Sequence, residues 1–92
     1  SKSRFFFFFT LNYFNLEKFN KKYQNEVFKW LDNLVSALNN YDINAVNIFE
    51  LHYDKINVAE FIEEVEIIKS SIYNNEFKNA AYYSSLLIDK IK

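Results

Sequence analysis

The chain is predicted to be all-α, a bundle of four to five antiparallel helices arranged as two helix-hairpin units. Three observations predict it. The 92 residues include no Gly and no Pro, whereas two-residue hairpin turns rely on Gly or Asn at positive φ, and sheets use Pro and Gly to turn and to guard their edges. Half of the residues are hydrophobic and 21% are aromatic, which is enough to bury one core and argues against disorder. Finally, the stretch Asn39 to Ile56 returns 35 positions later as Asn74 to Ile91. Asn39/Asn74, Asn40/Asn75, Asn44/Asn79, Ala45/Ala80, Leu51/Leu86, Asp54/Asp89, Lys55/Lys90 and Ile56/Ile91 are identical. A period in the thirties marks stacked helix pairs, each hiding its apolar face against the next.

Residues 1–15 stand apart from residues 16–92, which carry the helical pattern. SKSR followed by FFFFFTLNYF has the basic start and apolar run of a secretory signal peptide, but no small-x-small cleavage site follows. The apolar run is also far shorter than the roughly 20 residues a helix needs to cross a bilayer. Three readings stay open: a first helix entering the core with Phe5, Phe8, Phe9 and Leu11 on one side, a segment foreign to the native protein, or a targeting or membrane-surface piece. A bare run of five Phe is an aggregation hazard and favours self-association.

Asn20 is placed to cap the next helix, with Phe19 before it as a hydrophobic staple. Tyr23, Val27, Trp30, Leu31, Leu34 and Leu38 then recur at steps of three and four, while Asn25, Glu26, Lys29, Asp32, Asn33 and Ser36 take the other side. At Asn39-Asn40 an Asn can adopt the left-handed conformation that Gly usually supplies at a helix end. Asp42 caps a helix running from Ile43 to about Asp54. Its apolar residues Ala45, Val46, Ile48, Phe49, Leu51 and Tyr53 surround most of its circumference, so this helix is expected at the centre of the bundle.

Asn57-Val58-Ala59-Glu60 reads as a capping box with Asn in place of Ser or Thr. Val58, Phe61, Val65, Ile68 and Ile72 form the inner face of the helix it opens. Glu60, Glu63, Glu64 and Glu66 occupy the early turns, where the helix dipole favours negative charge. After Asn74-Asn75, the last helix turns Phe77, Ala80, Ala81, Ser84, Leu87, Ile88 and Ile91 inward and ends on Lys90 and Lys92. Shifted by 34, Val27, Phe28, Leu31, Leu34 and Leu38 fall on Phe61, Ile62, Val65, Ile68 and Ile72. The repeat is therefore a whole hairpin, with a period of 34–35 residues.

The chemistry-bearing residues do not converge. His52 is the sole histidine, with no Cys and no His-x-x-x-His partner, and reads as a packing residue. Glu63 and Glu64 are adjacent and so point in different directions on a helix. Ser70, Ser71, Ser84 and Ser85 have no base at a motif spacing, and without Gly there is no phosphate-cradling loop. No catalytic, metal-binding or cofactor-binding residue is expected, and the chain reads as a non-enzyme without a small-molecule substrate. The absence of Cys fits a reducing, cytoplasmic setting. The formal charge of −1 gives no electrostatic reason for direct nucleic-acid binding, and the lysines Lys18, Lys21 and Lys22 read as solvation. What remains is protein binding. Tyr82 is the aromatic that periodicity points outward, a surface anchor for a partner. Glu60, Glu63 and Glu64 read either as a solvated face or as a docking patch for a basic partner.

Leu34-Val35, Ala37-Leu38, Asn40, Asp42, Ala45, Ile48, Asn57, Glu60, Ile68 and Lys69 carry a further pattern: a leucine-rich helix ending in LV-x-AL-x-N, then D-x-x-A-x-x-I, then an N-x-x-E helix with a late I-K. Over Leu31 to Ile72 it resembles the C-terminal helical domain shared by the outer-cage WD-repeat subunit of the COPII vesicle coat and the steroid receptor RNA activator protein. That resemblance implies an assembly module of ER-to-Golgi vesicle transport, cytoplasmic or peripheral at ER exit sites, with coat or scaffold proteins as partners. It also implies an alternative, an RNA-linked transcriptional coregulator domain. The 34–35 period and the N-x-x-x-N-A opening of the second helix are similar to tetratricopeptide-like repeats as well, which implies a generic adaptor.

Overall fold

In the computed structural model, residues 18–92 are described, so the three readings of residues 1–15 lie outside the described residues. A 3-10 turn, Lys21–Tyr23, leads into α1 (Gln24–Asn39). Then come α2 (Ala45–Leu51), α3 (Tyr53–Ile56), a second 3-10 turn at Ala59–Phe61, α4 (Ile62–Tyr73) and α5 (Phe77–Ile91). The described chain is all-helical, with no strand among the described residues.

Local chemistry explains most of the boundaries. The Asn20 carboxamide oxygen accepts the Lys22 N–H at 3.1 Å, so the chain enters the first turn capped as expected. Val27, Trp30, Leu31, Leu34 and Leu38 are buried on one side of α1, and the six predicted outward residues are all exposed. The helix then closes with a pair of reversed hydrogen bonds. The Asp42 N–H reaches the Ala37 carbonyl at 2.9 Å and the Tyr41 N–H reaches that of Leu38 at 3.1 Å. α4 ends identically, with Glu76 N–H on the Ser71 carbonyl at 2.8 Å and Asn75 N–H on that of Ile72 at 3.1 Å. Each motif needs one residue at positive φ. Asn75 fills that place in the second link (φ 62°), but in the first it is Tyr41 (φ 54°) rather than Asn39 or Asn40, because α1 runs on through Asn39.

The helix expected over 43–54 is not continuous and is not the centre. Asp42 caps it through the Asn44 N–H at 2.9 Å, yet regular helix starts only at Ala45 and breaks at His52, where φ is −128°. Ile43 is 80% exposed and Leu51 68%. Composition around the helix is a poor guide because two of its apolar residues are left in water. The capping box at 57–60 also does not form: the second 3-10 turn starts after Val58 with no side-chain cap, and the Glu60 carboxylate turns instead to the Phe19 N–H.

The central element is α5. Both α1 and α4 pack against it, and both also touch α2, so the four elements close into a ring in which α1 on α5 is the broadest contact. The Gln24 side-chain amide donates to the Ile91 carbonyl at 3.2 Å, and Lys90 reaches Glu64 at 2.9 Å. These contacts set the starts of α1 and α4 beside the end of α5, which runs antiparallel to both. Ala80, Ala81 and Ser84 are buried on α5, and their small side chains let two helices approach one. On the other side of the ring, the Tyr73 hydroxyl donates to Glu50 at 2.6 Å and ties the end of α4 to α2. That hydrogen bond, with burial and the Glu50 charge behind it, pushes the Tyr73 phenol up from its ordinary value.

Candidate protein-interaction surface

The face of α5 turned away from its neighbours follows from the same periodicity that buries the other. Lys78, Tyr82, Ser85 and Asp89 lie four, three and four residues apart and are all exposed, with Leu86 beside them. Tyr82 is 60% exposed. Its ring stands edge-on to that of Tyr83, centroids 5.2 Å apart, and Tyr83 packs partly into the core. The outward aromatic is thus braced from beneath on a helix held on two sides. A shallow groove lined by Asn39, Lys78, Ala81, Tyr82 and Ser85 runs between α5 and the end of α1.

The three glutamates singled out in the sequence are not equivalent. Glu60 accepts the Phe19 N–H at 2.6 Å, and the Phe19 and Phe61 rings lie 5.5 Å apart, so Glu60 helps hold the segment before α1 against the turn before α4. Glu64 pairs with Lys90 at 2.9 Å across α4 and α5. Burial alone would push its carboxyl up. The hydrogen bond and charge of Lys90, with a backbone hydrogen bond, outweigh this and hold it below the usual carboxylate value. Glu63 is exposed and has no hydrogen-bond or ion-pair partner among the described residues. Two of the three therefore make contacts within the fold, and Glu63 turns to solvent.

A second concavity lies between α1 and α2, lined among others by Trp30, Ile48, Leu51 and His52. Its signal in the sequence is one indole on an inner helix face: a buried Trp N–H needs an acceptor. The Trp30 N–H donates to the Ile48 carbonyl, the group that a continuous helix would offer to the His52 N–H. His52 follows at the break, its ring edge-on to Trp30 at 5.6 Å and its Nδ1 2.9 Å from the Lys55 ammonium. Glu26 lies 3.9 Å from both His52 and Lys55. This is a polar clamp joining α1 to the α2–α3 junction.

Among the described residues, no group of three or more His, Cys, Asp or Glu is placed to hold a metal ion, and no helix is long and apolar enough to cross a membrane. Comparisons with protein-family models, with curated proteins and with solved structures found no match to the chain.

Proposed function

We propose that this chain is a non-enzymatic helical module that binds other proteins in assembling a larger scaffold, through the outward face of α5. The observation that carries the reading is Tyr82, a large aromatic left 60% in solvent on the most firmly packed helix of the bundle. Aromatic anchors on rigid supports dominate binding energy because little conformational entropy is lost on docking. The scaffold it fits is the COPII coat, in the cytoplasm at ER exit sites. That assignment rests on the resemblance over Leu31 to Ile72. Part of its residue set serves as core and cap here: Leu34, Ala37, Leu38, Ala45 and Ile68 are buried, and Asn40 follows the last residue of α1 as its C-cap, whereas Asn57 and Glu60 form no capping box. The two hairpins, with matching helix ends at Tyr41 and Asn75, make up the scaffold unit.

The test is direct binding of the purified full chain to purified outer-coat WD-repeat subunits. Saturable binding weakened roughly thirtyfold by Tyr82→Ala, the size expected for loss of an anchor, supports the proposal. Absence of binding overturns the coat assignment, and binding that Tyr82→Ala leaves unchanged overturns the assigned face. A salt-sensitive shift of RNA would favour the coregulator reading instead.

A further inference from the structure

The outward stripe of α5 is complementary to itself. Read along the helix, it begins with a cation, Lys78, continues through Tyr82, Ser85 and Leu86, and ends with an anion, Asp89. Neither Lys78 nor Asp89 forms an ion pair among the described residues. A two-fold axis crossing α5 between Tyr83 and Ser84 would bring two copies of the helix together antiparallel. Lys78 of each copy then meets Asp89 of the other, and each Tyr82 ring lies over the small Ser85 and the Leu86 side chain opposite. A dimer of this kind uses the same patch twice, so every favourable contact is counted twice, as is every unfavourable one. In a parallel pairing, by contrast, Lys78 would face Lys78 and Asp89 would face Asp89.

We infer that the outward face of α5 docks on the same face of a second copy of this chain, forming a two-fold symmetric antiparallel helix pair. The inference rests on the reading of this face as a binding surface and adds a second copy of the chain as an occupant that exchanges with the coat subunit. A stripe three turns long is smaller than the roughly 800 Å² per partner of a standard interface. The dimer is accordingly weak and exchanging, suited to a unit that trades contacts during assembly.

The experiment is sedimentation velocity of the full 92-residue chain over a concentration series, with Lys78→Glu, Asp89→Lys, the double variant, and an equimolar mixture of the two single variants. Both substitutions fall on exposed positions, and circular dichroism checks that each variant keeps its helix. Wild type is expected to show a monomer–dimer equilibrium, each single variant to weaken it roughly tenfold or more through two like-charge contacts, and the double variant to restore it. The mixture is the decisive arm. The glutamate introduced by Lys78→Glu would meet the lysine introduced by Asp89→Lys. The Asp89 kept by the first variant would meet the Lys78 kept by the second, so a heterodimer should form where neither variant pairs with itself. Association through the Phe-rich start would ignore these charges. A monomeric wild type, or self-association that the charge changes leave untouched, overturns the inference. Its failure is separable from that of the coat reading: a monomer that still binds coat subunits through Tyr82 sinks only the dimer, and a dimer that binds no coat subunit sinks only the coat partner.

Discussion

Tyr41 and Asn75 adopt the same left-handed backbone conformation, φ 54° and 62°, at the same point of two helix ends 34 residues apart. Left-handed geometry costs an ordinary L-residue about 1–2 kcal/mol, and Asn less than most. Tyr41 offsets part of that cost by stacking on Phe77, ring centroids 6.4 Å apart and 22° from parallel, a contact worth about 0.5–1.5 kcal/mol. The two effects are similar in size. Tyr41→Gly should therefore leave stability within about 1 kcal/mol of wild type, whereas Tyr41→Ala loses the stack, keeps the strain and costs about 1 kcal/mol. Asn75→Ala should cost a similar amount, with urea denaturation as the readout.

Trp30 holds α2 to α1 through the Ile48 carbonyl. Trp30→Phe keeps most of the apolar volume and removes the donor, so it should destabilise by about 1–3 kcal/mol. Far-UV circular dichroism is the suitable probe, since Trp30 is the only Trp. If the indole bond also sets the break at His52, amide chemical shifts over Glu50–Tyr53 should move toward helical values in this variant. Unchanged shifts would mean that the break has another cause.

The contrast in burial between α5 and α2 makes a paired prediction. Leu87 is fully buried, and Leu87→Ala should cost about 2–5 kcal/mol. Leu51, 68% exposed, should tolerate Ala with a change of about 0.5 kcal/mol or less. The Ser84 hydroxyl is buried with no hydrogen-bond partner among the described residues. Ser84→Ala removes that unmet group and raises helix propensity, and should stabilise the protein by about 1 kcal/mol.

These contrasts separate what a local pattern encodes from what only tertiary packing decides. The inner faces of α1, α4 and α5 are legible in the sequence because a single apolar stripe at steps of three and four leaves one orientation. The centre is not, because the segment from Ile43 to Asp54 is apolar all round, which implies burial where the chain leaves Ile43 and Leu51 exposed. Its break at His52 coincides with a donor from Trp30, which no local pattern in that segment encodes. The exposure of Tyr82 is legible from its own helix. The roles of Glu60 and Glu64 are not, because their partners Phe19 and Lys90 are 41 and 26 residues away.

The Glu64–Lys90 pair should give stability a pH signature. The Glu64 carboxyl is held below its ordinary value of 4.5 in the fold, so its contribution is complete above that value and disappears as pH falls through the lower folded value. Glu64→Gln should therefore lower the melting temperature at neutral pH, and the gap to wild type should narrow as pH drops below about 4.5. A gap that stays constant down to about pH 3 would show that the charge of Glu64 adds no stability.

Hydrogen exchange on the full chain tests the central claim most directly, namely that α5 is the element shared by both long helices and the rigid support for Tyr82. Backbone amides from Ala80 to Leu87 should exchange only on global unfolding, and those of α2 and α3, from Ala45 to Ile56, should open by local fluctuation at distinctly lower free energy. If the amides of α5 exchange before those of α2 and α3, the helix over 43–54 is the true centre, and the surface assigned to Tyr82 loses its support.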